Sequence, residues 1–367
     1  MPPTNPSELK RIVVSVSNDL VTDQRVYKVC CTLQELNYDV LLIGRYQTSK
    51  LPLERKYATK RMRMLFQRGV LFYAEFNVRL FFLLLFTQKD VLFSNDLDTL
   101  APNYWVSKIQ GKELIFDSHE LFSEVPEIQH KKFVKSVWRK LEQWLLPQLK
   151  KVIVVSPSIK KHYETLYKIP VTLVRNLPIS KTAKPQKFPF STKEKKVILY
   201  QGSVNVGRGL ELMIDTLKLL EDFLLVVIGT GDILETLEQK VLNEGLENKV
   251  KFMGKMLPKD LKNLTPNAHV GMSLEEDWGL NYRYALPNKV FDYIHAEVPV
   301  IVSNLPDMKA LVLQYKVGEI LLERTPTALA SLIQKVVENN YQEALQQAKQ
   351  ELNWSKEKKK LIEVLNA

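Results

Sequence analysis

The chain has 367 residues, too many for one typical hydrophobic core, and its length suits two domains of roughly 150 to 200 residues each. With 45% hydrophobic and 25% charged residues it has the composition of a folded globular protein, and the polar start "MPPTNPSELK" excludes a secretory signal, so a cytoplasmic protein is expected. The net charge of +11 is uneven: residues 1–180 carry 27 Lys/Arg against 17 Asp/Glu and residues 181–196 carry 6 against 1, while residues 197–367 carry 19 against 23.

Apolar runs that read as strands alternate with helical patterns. In the first half these runs are "RIVVSVS", "DVLLIG", "DVLFSN", "ELIFDS", "KVIVVS" and "VTLVRN". This alternation predicts parallel sheets covered by helices on both faces. The adjacent Cys30 and Cys31 supply neither a disulfide framework nor spaced zinc ligands, and they read as small buried residues. Arg55, Lys56, Lys60, Arg61, Arg63 and Arg68 cluster without an intervening acid, and the apolar run "VRLFFLLLF", Val78–Phe86, follows. That run is far shorter than the roughly 20 residues of a bilayer span, which excludes a transmembrane helix. The juxtaposition fits either peripheral contact with anionic lipid headgroups or a core helix preceded by a solvated loop. Nucleic acid is not an expected partner, because no recognised binding motif accompanies the charge.

The stretch "PISKTAKPQKFPFSTKEKK" is rich in Pro and Lys and lacks periodicity, so residues 181–196 read as a linker between domains 1–180 and 197–345. Strand-like runs resume at "KVILYQG", "FLLVVIG", "VKFMG", "HVGMSL" and "VPVIVS". Residues 346–367 read as a helical segment, with Trp354, Leu361 and Leu365 as packing anchors, expected to return towards the first domain.

In open α/β sheets ligands bind beyond the carboxyl ends of the strands. The loop in "VILYQGSVNVGRGLELMIDTL" carries Gly202, Gly207 and Gly209, which let backbone amides approach a ligand, and Arg208, which adds a charge. Phosphate binding and a merely tight turn both fit it. "LLVVIGTGDIL" adds Gly229 and Gly231 but has Leu234 where a dinucleotide fingerprint needs a third glycine. Pro287, Asn288 and Lys289 open a helix whose start would ordinarily favour acids, with Asp292 a turn further on. A bound anion accounts for that pattern.

The ordered set "YQGSVNVGRG", "VVIGTGD", "VKFMGKM", "NAHVGMSLEED" and "LPNKVFDYIHAEVPVIVSNLP" resembles the glycosyltransferases of family 4, with their GT-B fold. In the first half, "SNDLVTDQRVYKVCCTLQELNYDVLLIGR", "FSNDLDTLAP" and "IFDSHELFSEVPEI" resemble a bacterial branch that builds surface polysaccharide. The resemblance implies two Rossmann-like domains with parallel sheets facing across a cleft, the first binding the acceptor and the second a nucleotide-diphosphate sugar. Arg208 before Gly209 matches the basic residue of the first phosphate loop, while Ser203 stands where a second basic residue usually follows Gly202. The family's paired acids fall on Tyr284 and Asp292, so only the second remains acidic. Amides near Asn288 and Lys289 would face the diphosphate, Lys289 would neutralise it, and Asp292 would accept hydrogen bonds from the ribose.

In the first domain His119 and Glu120 match the family's histidine near the transferred sugar, and His119 is expected to help stabilise charge as the glycosidic bond breaks. Asn18 and Asp19 would meet acceptor or sugar, Thr22 or Asp23 would cap the next helix, and Arg25 would approach phosphate or form a surface ion pair. Asp96 and Asp98 form an Asp-x-Asp pair, read here as structural or acceptor-lining rather than as metal ligands. The expected activity is metal-independent hexosyl transfer with retention, to a glycan or lipid-linked acceptor in surface-polysaccharide synthesis, using no cofactor beyond the nucleotide sugar. The rival readings are a nucleotide-sugar epimerase of the same fold and a non-catalytic nucleotide-sugar-binding protein.

Overall fold

The computed structural model describes residues 9–21, 23–46, 53–180, 184–192 and 194–367. The chain divides into two compact units. The first runs to Arg175 and takes back Lys358–Ala367; the second is Asn176–Glu357.

In the first unit the order is β1 (Arg11–Asp19), α1 (Gln24–Glu35), β2 (Asp39–Arg45), β3 (Ala58–Met62), α2 (Gly69–Phe86), β4 (Val91–Asn95), α3 (Leu97–Gln110), β5 (Glu113–Ser118), α4 (Pro126–Gln129), α5 (Lys132–Leu145), β6 (Lys151–Val154), α6 (Pro157–Tyr167) and β7 (Val171–Leu173). Its sheet has the order β3-β2-β1-β4-β5-β6-β7, parallel throughout. Each run anticipated from its apolar residues is a strand. The additional strand, β3, lies at the sheet edge inside the basic cluster, where charged side chains can blunt an exposed ladder.

The second unit continues with β8 (Lys196–Gln201), α7 (Leu210–Thr216), β9 (Phe223–Ile228), α8 (Leu234–Asn243), β10 (Val250–Phe252), α9 (Pro258–Leu264), β11 (Val270–Ser273), α10 (Gly279–Arg283), α11 (Asn288–His295), β12 (Val300–Ser303), α12 (Pro306–Tyr315), β13 (Gly318–Leu321), α13 (Pro326–Glu338), α14 (Gln342–Glu351) and α15 (Trp354–Asn366), the last of which runs on into the first unit. Its sheet, again parallel, has the order β10-β9-β8-β11-β12-β13. The strand not anticipated, β13, is once more at an edge, where half-buried residues leave a weak apolar pattern. Strand order reverses between β1 and β4 in one sheet and between β8 and β11 in the other. Such reversals open the crevice in which α/β sheets hold ligands.

The segment expected to be a linker belongs to the second unit. Phe188 is buried in that unit's core and stacks on Phe190, and Asn263 ties down Lys184 and Gln186. Two aromatic anchors thus hold a stretch that lacks periodicity; residues 181–183 and 193 lie outside the described structure. Trp354, Leu361 and Leu365 are buried, and Lys358 pairs with Glu35 of the first unit. Asp23 caps α1, accepting from the Val26 amide at 3.0 Å; Thr22, the other candidate cap, is outside the described residues.

Helix α2 differs from expectation. Its 18 residues begin nine before the apolar run, so by length and composition it could cross a membrane. Phe72, Phe76, Leu80 and Leu84, spaced four apart, nevertheless form a stripe buried among core residues that include Val13, Ile43 and Leu92 of the sheet. A second stripe, Leu71, Val78, Phe82 and Phe86, is exposed. Phe76→Ala should therefore destabilise the first unit by roughly 3–5 kcal/mol, and Phe82→Ala by less than about 0.5 kcal/mol. Thermal melts of both variants would check this, and equal losses would contradict the assignment of the two stripes.

Candidate functional site

In the second unit β8 ends at Gln201 and β11 at Ser273, on either side of the order reversal. Two residues beyond β11, Glu275 is wholly buried, with Lys289 Nζ 2.8 Å and Arg208 Nη1 3.4 Å from its Oε1. Ser273 Oγ donates to Oε2 at 2.7 Å. Burial alone would push the Glu275 carboxyl up, but Lys289 and then Arg208 outweigh it and hold it at about 2. Lys289 also lies over the Tyr200 ring at 4.2 Å and Arg208 over Tyr282 at 4.6 Å. Both cations are thus fixed by an anion beneath them and aromatic faces beside them.

Lys289 is the second residue of α11, an eight-residue helix whose N-cap, Pro287, provides no side-chain hydrogen bond. Asn288 is exposed at the helix start. Asp292, a turn later, accepts from Gln201 Nε2 at 3.1 Å, while Gln201 Oε1 accepts from Thr265 Oγ1 at 3.1 Å. The end of β8 is therefore stitched to α11 through the Asp292 carboxylate. Arg324 braces the turn carrying Glu275, donating to Ser303 Oγ at 2.9 Å and to the Leu274 carbonyl at 3.0 Å.

The glycines serve different ends. A side chain at Gly202 would enter the space beside the Lys289 amine, 3.9 Å away, so this glycine leaves the cation accessible from the β8 loop. At Gly229 an added Cβ would meet the Gly202 carbonyl at 1.8 Å, and at Gly209 it would meet Leu274 O at 2.5 Å. Those two, and Gly207 against Tyr282, answer to close packing rather than directly to a ligand. Ser203 is exposed, and its carbonyl accepts from Tyr200 Oη at 2.6 Å. Tyr284 is half-buried, its amide closing a turn on Leu280. Of the residues foreseen here, the structure gathers Gly202, Arg208, Lys289 and Asp292; Glu275, Gln201 and Arg324 were not foreseen.

The first unit has its own cluster, at the reversal between β1 and β4. His119, just past β5, sits between two carboxylates, with Nδ1 3.2 Å from Asp96 and Nε2 3.3 Å from Asp117. Its amide donates to the other Asp96 oxygen at 2.8 Å. Burial favours a neutral ring, but Asp96 and Asp117 outweigh it and raise the pKa well above the usual value, so His119 is an imidazolium at neutral pH. Both ring nitrogens are engaged within the chain. Asp96 adopts φ 59° and ψ 164°, a conformation costing a non-glycine residue roughly 1–3 kcal/mol, and stands at the N-cap of α3 without capping it. Its carboxylate is turned to His119 instead.

Arg25 corrects an expectation. It is 3% exposed and forms a bidentate pair with Asp117, at 2.8 and 2.6 Å, with Nη1 donating to the Val174 carbonyl at 2.8 Å. The ion pair is therefore buried rather than on the surface, and the guanidinium is engaged within the chain. With Asp117 buried near the end of β5, the guanidinium is drawn inward to neutralise it, and the Asp117 carboxyl, which burial would raise, is held at about 2 by Arg25 and His119. Asn18 is exposed, 3.5 Å from Asp23, and Glu120 is half-buried; the Asp19 side chain lies outside the described structure.

Asp98 behaves oppositely to Asp117. It is buried, accepts from Ser17 Oγ, and leaves Oδ1 without a hydrogen-bond partner. Burial and then the neighbouring Asp96 push its carboxyl up to about 8, so it is largely a neutral acid at pH 7. A folded pKa above the unfolded value of 3.8 favours the fold fully below that value, and this contribution is lost as pH rises to about 8. Asp98→Asn removes the titration. On moving from pH 5 to pH 9, the melting temperature of the variant should therefore shift upward relative to wild type, whereas an unchanged difference would show that Asp98 titrates normally.

Residues 181–360 match the family described as glycosyl transferases group 1, and residues 23–177 match glycosyltransferase family 4. A search of curated proteins by sequence finds no match. Among solved structures, a sucrose-phosphate synthase from Thermosynechococcus elongatus is similar at TM-score 0.76 and 16% identity, over 97% of this chain and 98% of that one. HepE of Anabaena, in complex with UDP and glucose, is similar at TM-score 0.74 and 14% identity, over 97% and 99%. The lipopolysaccharide outer core galactosyltransferase WaaB is similar at TM-score 0.67 and 14% identity, over 97% and 99%. At such identities the structural likeness speaks for the GT-B fold, while the two family matches together span nearly the whole chain. The protein belongs to the family 4, group 1 glycosyltransferases, and its role is glycosyl transfer.

Proposed function

We propose that the chain transfers a hexose, with retention of anomeric configuration, from a nucleotide-diphosphate sugar to a glycan or lipid-linked acceptor of a cell-surface polysaccharide. The observation that carries the donor assignment is the convergence of Lys289 and Arg208 on one buried carboxylate at the uncapped start of α11. Helix amides and fixed cations at a strand's carboxyl end suit a diphosphate. These groups would meet the leaving diphosphate's charge without a metal ion, and Asp292 would accept from the ribose. That HepE of Anabaena was solved with UDP and glucose, and also with UDP-glucose, supports a uridine nucleotide as the first donor to try.

His119 enters this reading as a fixed positive charge. With both ring nitrogens held by Asp96 and Asp117, it would act on charge developing near the transferred sugar by proximity rather than by proton transfer. Positioning and electrostatics then carry catalysis, with the departing phosphate assisting deprotonation of the acceptor.

Incubation with labelled nucleotide sugars tests the reaction class, since transfer supports the proposal while epimerisation or binding without turnover supports a rival. Within it, Lys289→Ala should weaken UDP binding by roughly 1.5–3 kcal/mol, about 10- to 150-fold, and leave uridine binding nearly unchanged. His119→Ala should leave UDP affinity intact and lower kcat. Equal UDP affinity in wild type and Lys289→Ala by calorimetry would remove the donor site from α11.

A further inference from the structure

Helices α2, α3 and α5 form one joined layer of the first unit. Asn77 of α2 donates to the Asp98 carbonyl of α3 at 2.9 Å, and Gln110 of α3 donates back to the Leu85 carbonyl at 2.8 Å. Tyr73 of α2 meets Trp138 of α5 edge-on at 5.2 Å, and Trp105 of α3 meets Trp144 of α5 at 5.6 Å. The buried residues of these helices account for the packing. Apart from the Trp105–Trp144 contact, the exposed apolar ones do not.

On α5 the apolar arc is wider than the arc it buries. Trp138 and Leu145 are inside, while Phe133, Val137 and Trp144 share another side of the helix and stay exposed, Phe133 at 79%. Trp105 and Ile109 are exposed on α3, and Val78, Phe82 and Phe86 on α2, with Phe86 at 83%. Monomeric proteins seldom leave so many large apolar side chains in one region without a partner. The charges beside them have one sign. The three helices carry three acids, Glu75, Asp98 and Glu142, none of which is exposed, whereas Arg79, Lys108, Lys132, Arg139 and Lys140 are. Glu75 is turned inward on the Leu65 and Phe66 amides and on Arg79, which pins two further exposed apolar residues beside α2.

We propose that the outer face of this layer docks peripherally on an anionic lipid bilayer, with Trp105, Trp144, Phe133 and Phe82 entering the headgroup boundary and the cations engaging lipid phosphates. Exposed indole rings beside lysines and arginines, with no exposed acid on the three helices, are the chemistry of a negatively charged interface. A second copy of the chain would bring cations against cations. Helix α2 lies on the surface rather than spanning, because Phe72, Phe76, Leu80 and Leu84 are held in the core. The basic cluster ahead of α2 contributes less than its sequence promises: Arg55 is turned onto the Leu20 carbonyl and the Tyr27 ring, and Arg61 and Arg63 lie over Tyr46. The inference deepens the acceptor side of the proposed function, favouring a lipid-linked acceptor, and stands on residues outside the donor site.

The test uses the full chain with vesicles of phosphatidylcholine alone or mixed with phosphatidylglycerol. At low salt the acidic vesicles should sediment the protein and the neutral ones less, with release as ionic strength rises. Lys132→Gln with Lys140→Gln should lower partitioning about fivefold per charge, roughly 25-fold together. Phe133→Ser with Val137→Ser should lower it further, with melting temperature and UDP affinity unchanged. Brominated lipid should quench wild-type tryptophan fluorescence, less so in Trp144→Ala, which reads the face directly even if a double variant folds poorly. Absence of acidic-vesicle binding, equal binding by the variants, absence of quenching, or a monomer–dimer equilibrium abolished by the same substitutions would each overturn the proposal. UDP calorimetry on the same samples tells failure of the face from failure of the donor site.

Discussion

Glu275 has no solvent contact, and a carboxylate so placed stays ionised only where cations and hydrogen bonds replace its water. Ser273 supplies one bond, Lys289 and Arg208 the charge. Removing one partner from such a buried group typically costs about 3–5 kcal/mol, so the two cations are not at liberty to wander. Their position then follows: the start of α11, beside the open space at Gly202, with Asp292 tied to the end of β8 through Gln201. The trio of charges sums to one positive, so an incoming diphosphate must draw the rest of its compensation from the amides of α11.

The first unit solves an inverse problem. Asp96, Asp98 and Asp117 crowd the ends of β4 and β5, and three ionised carboxylates there would repel one another. Arg25 neutralises Asp117, the imidazolium of His119 is shared between Asp117 and Asp96, and Asp98 stays largely protonated. The cost is visible in Asp96, which gives up a helix cap and takes a strained backbone conformation. A local rule broken in this way, at a strand's carboxyl end, is where function is expected to lie.

Much of this was legible beforehand. Central strands announce themselves because both faces are buried and the runs are continuously apolar; β3 and β13 escaped because edge strands need not be. Arg208 and Lys289 stood out because cations at a helix start have no local use, and Asp292 because it follows Lys289 a turn further on. Glu275 did not, since "LEED" offers three acids in a row and only the fold decides which is buried. Arg25 was misjudged because its partner, Asp117, lies 92 residues away. Helix α2 was read as too short because Glu75 and Asn77 interrupt its apolar run, although one is turned onto backbone amides and the other bonds across to α3.

The central claim is that α11, Lys289 and Arg208 form the donor diphosphate site, and a crystal structure with UDP bound tests it most directly. The account predicts phosphate oxygens at the first turn of α11, within roughly 2.7–2.9 Å of the Lys289 ammonium or the Arg208 guanidinium, with the ribose hydroxyls on Asp292. A diphosphate bound elsewhere, with both cations still closed on Glu275, would contradict it.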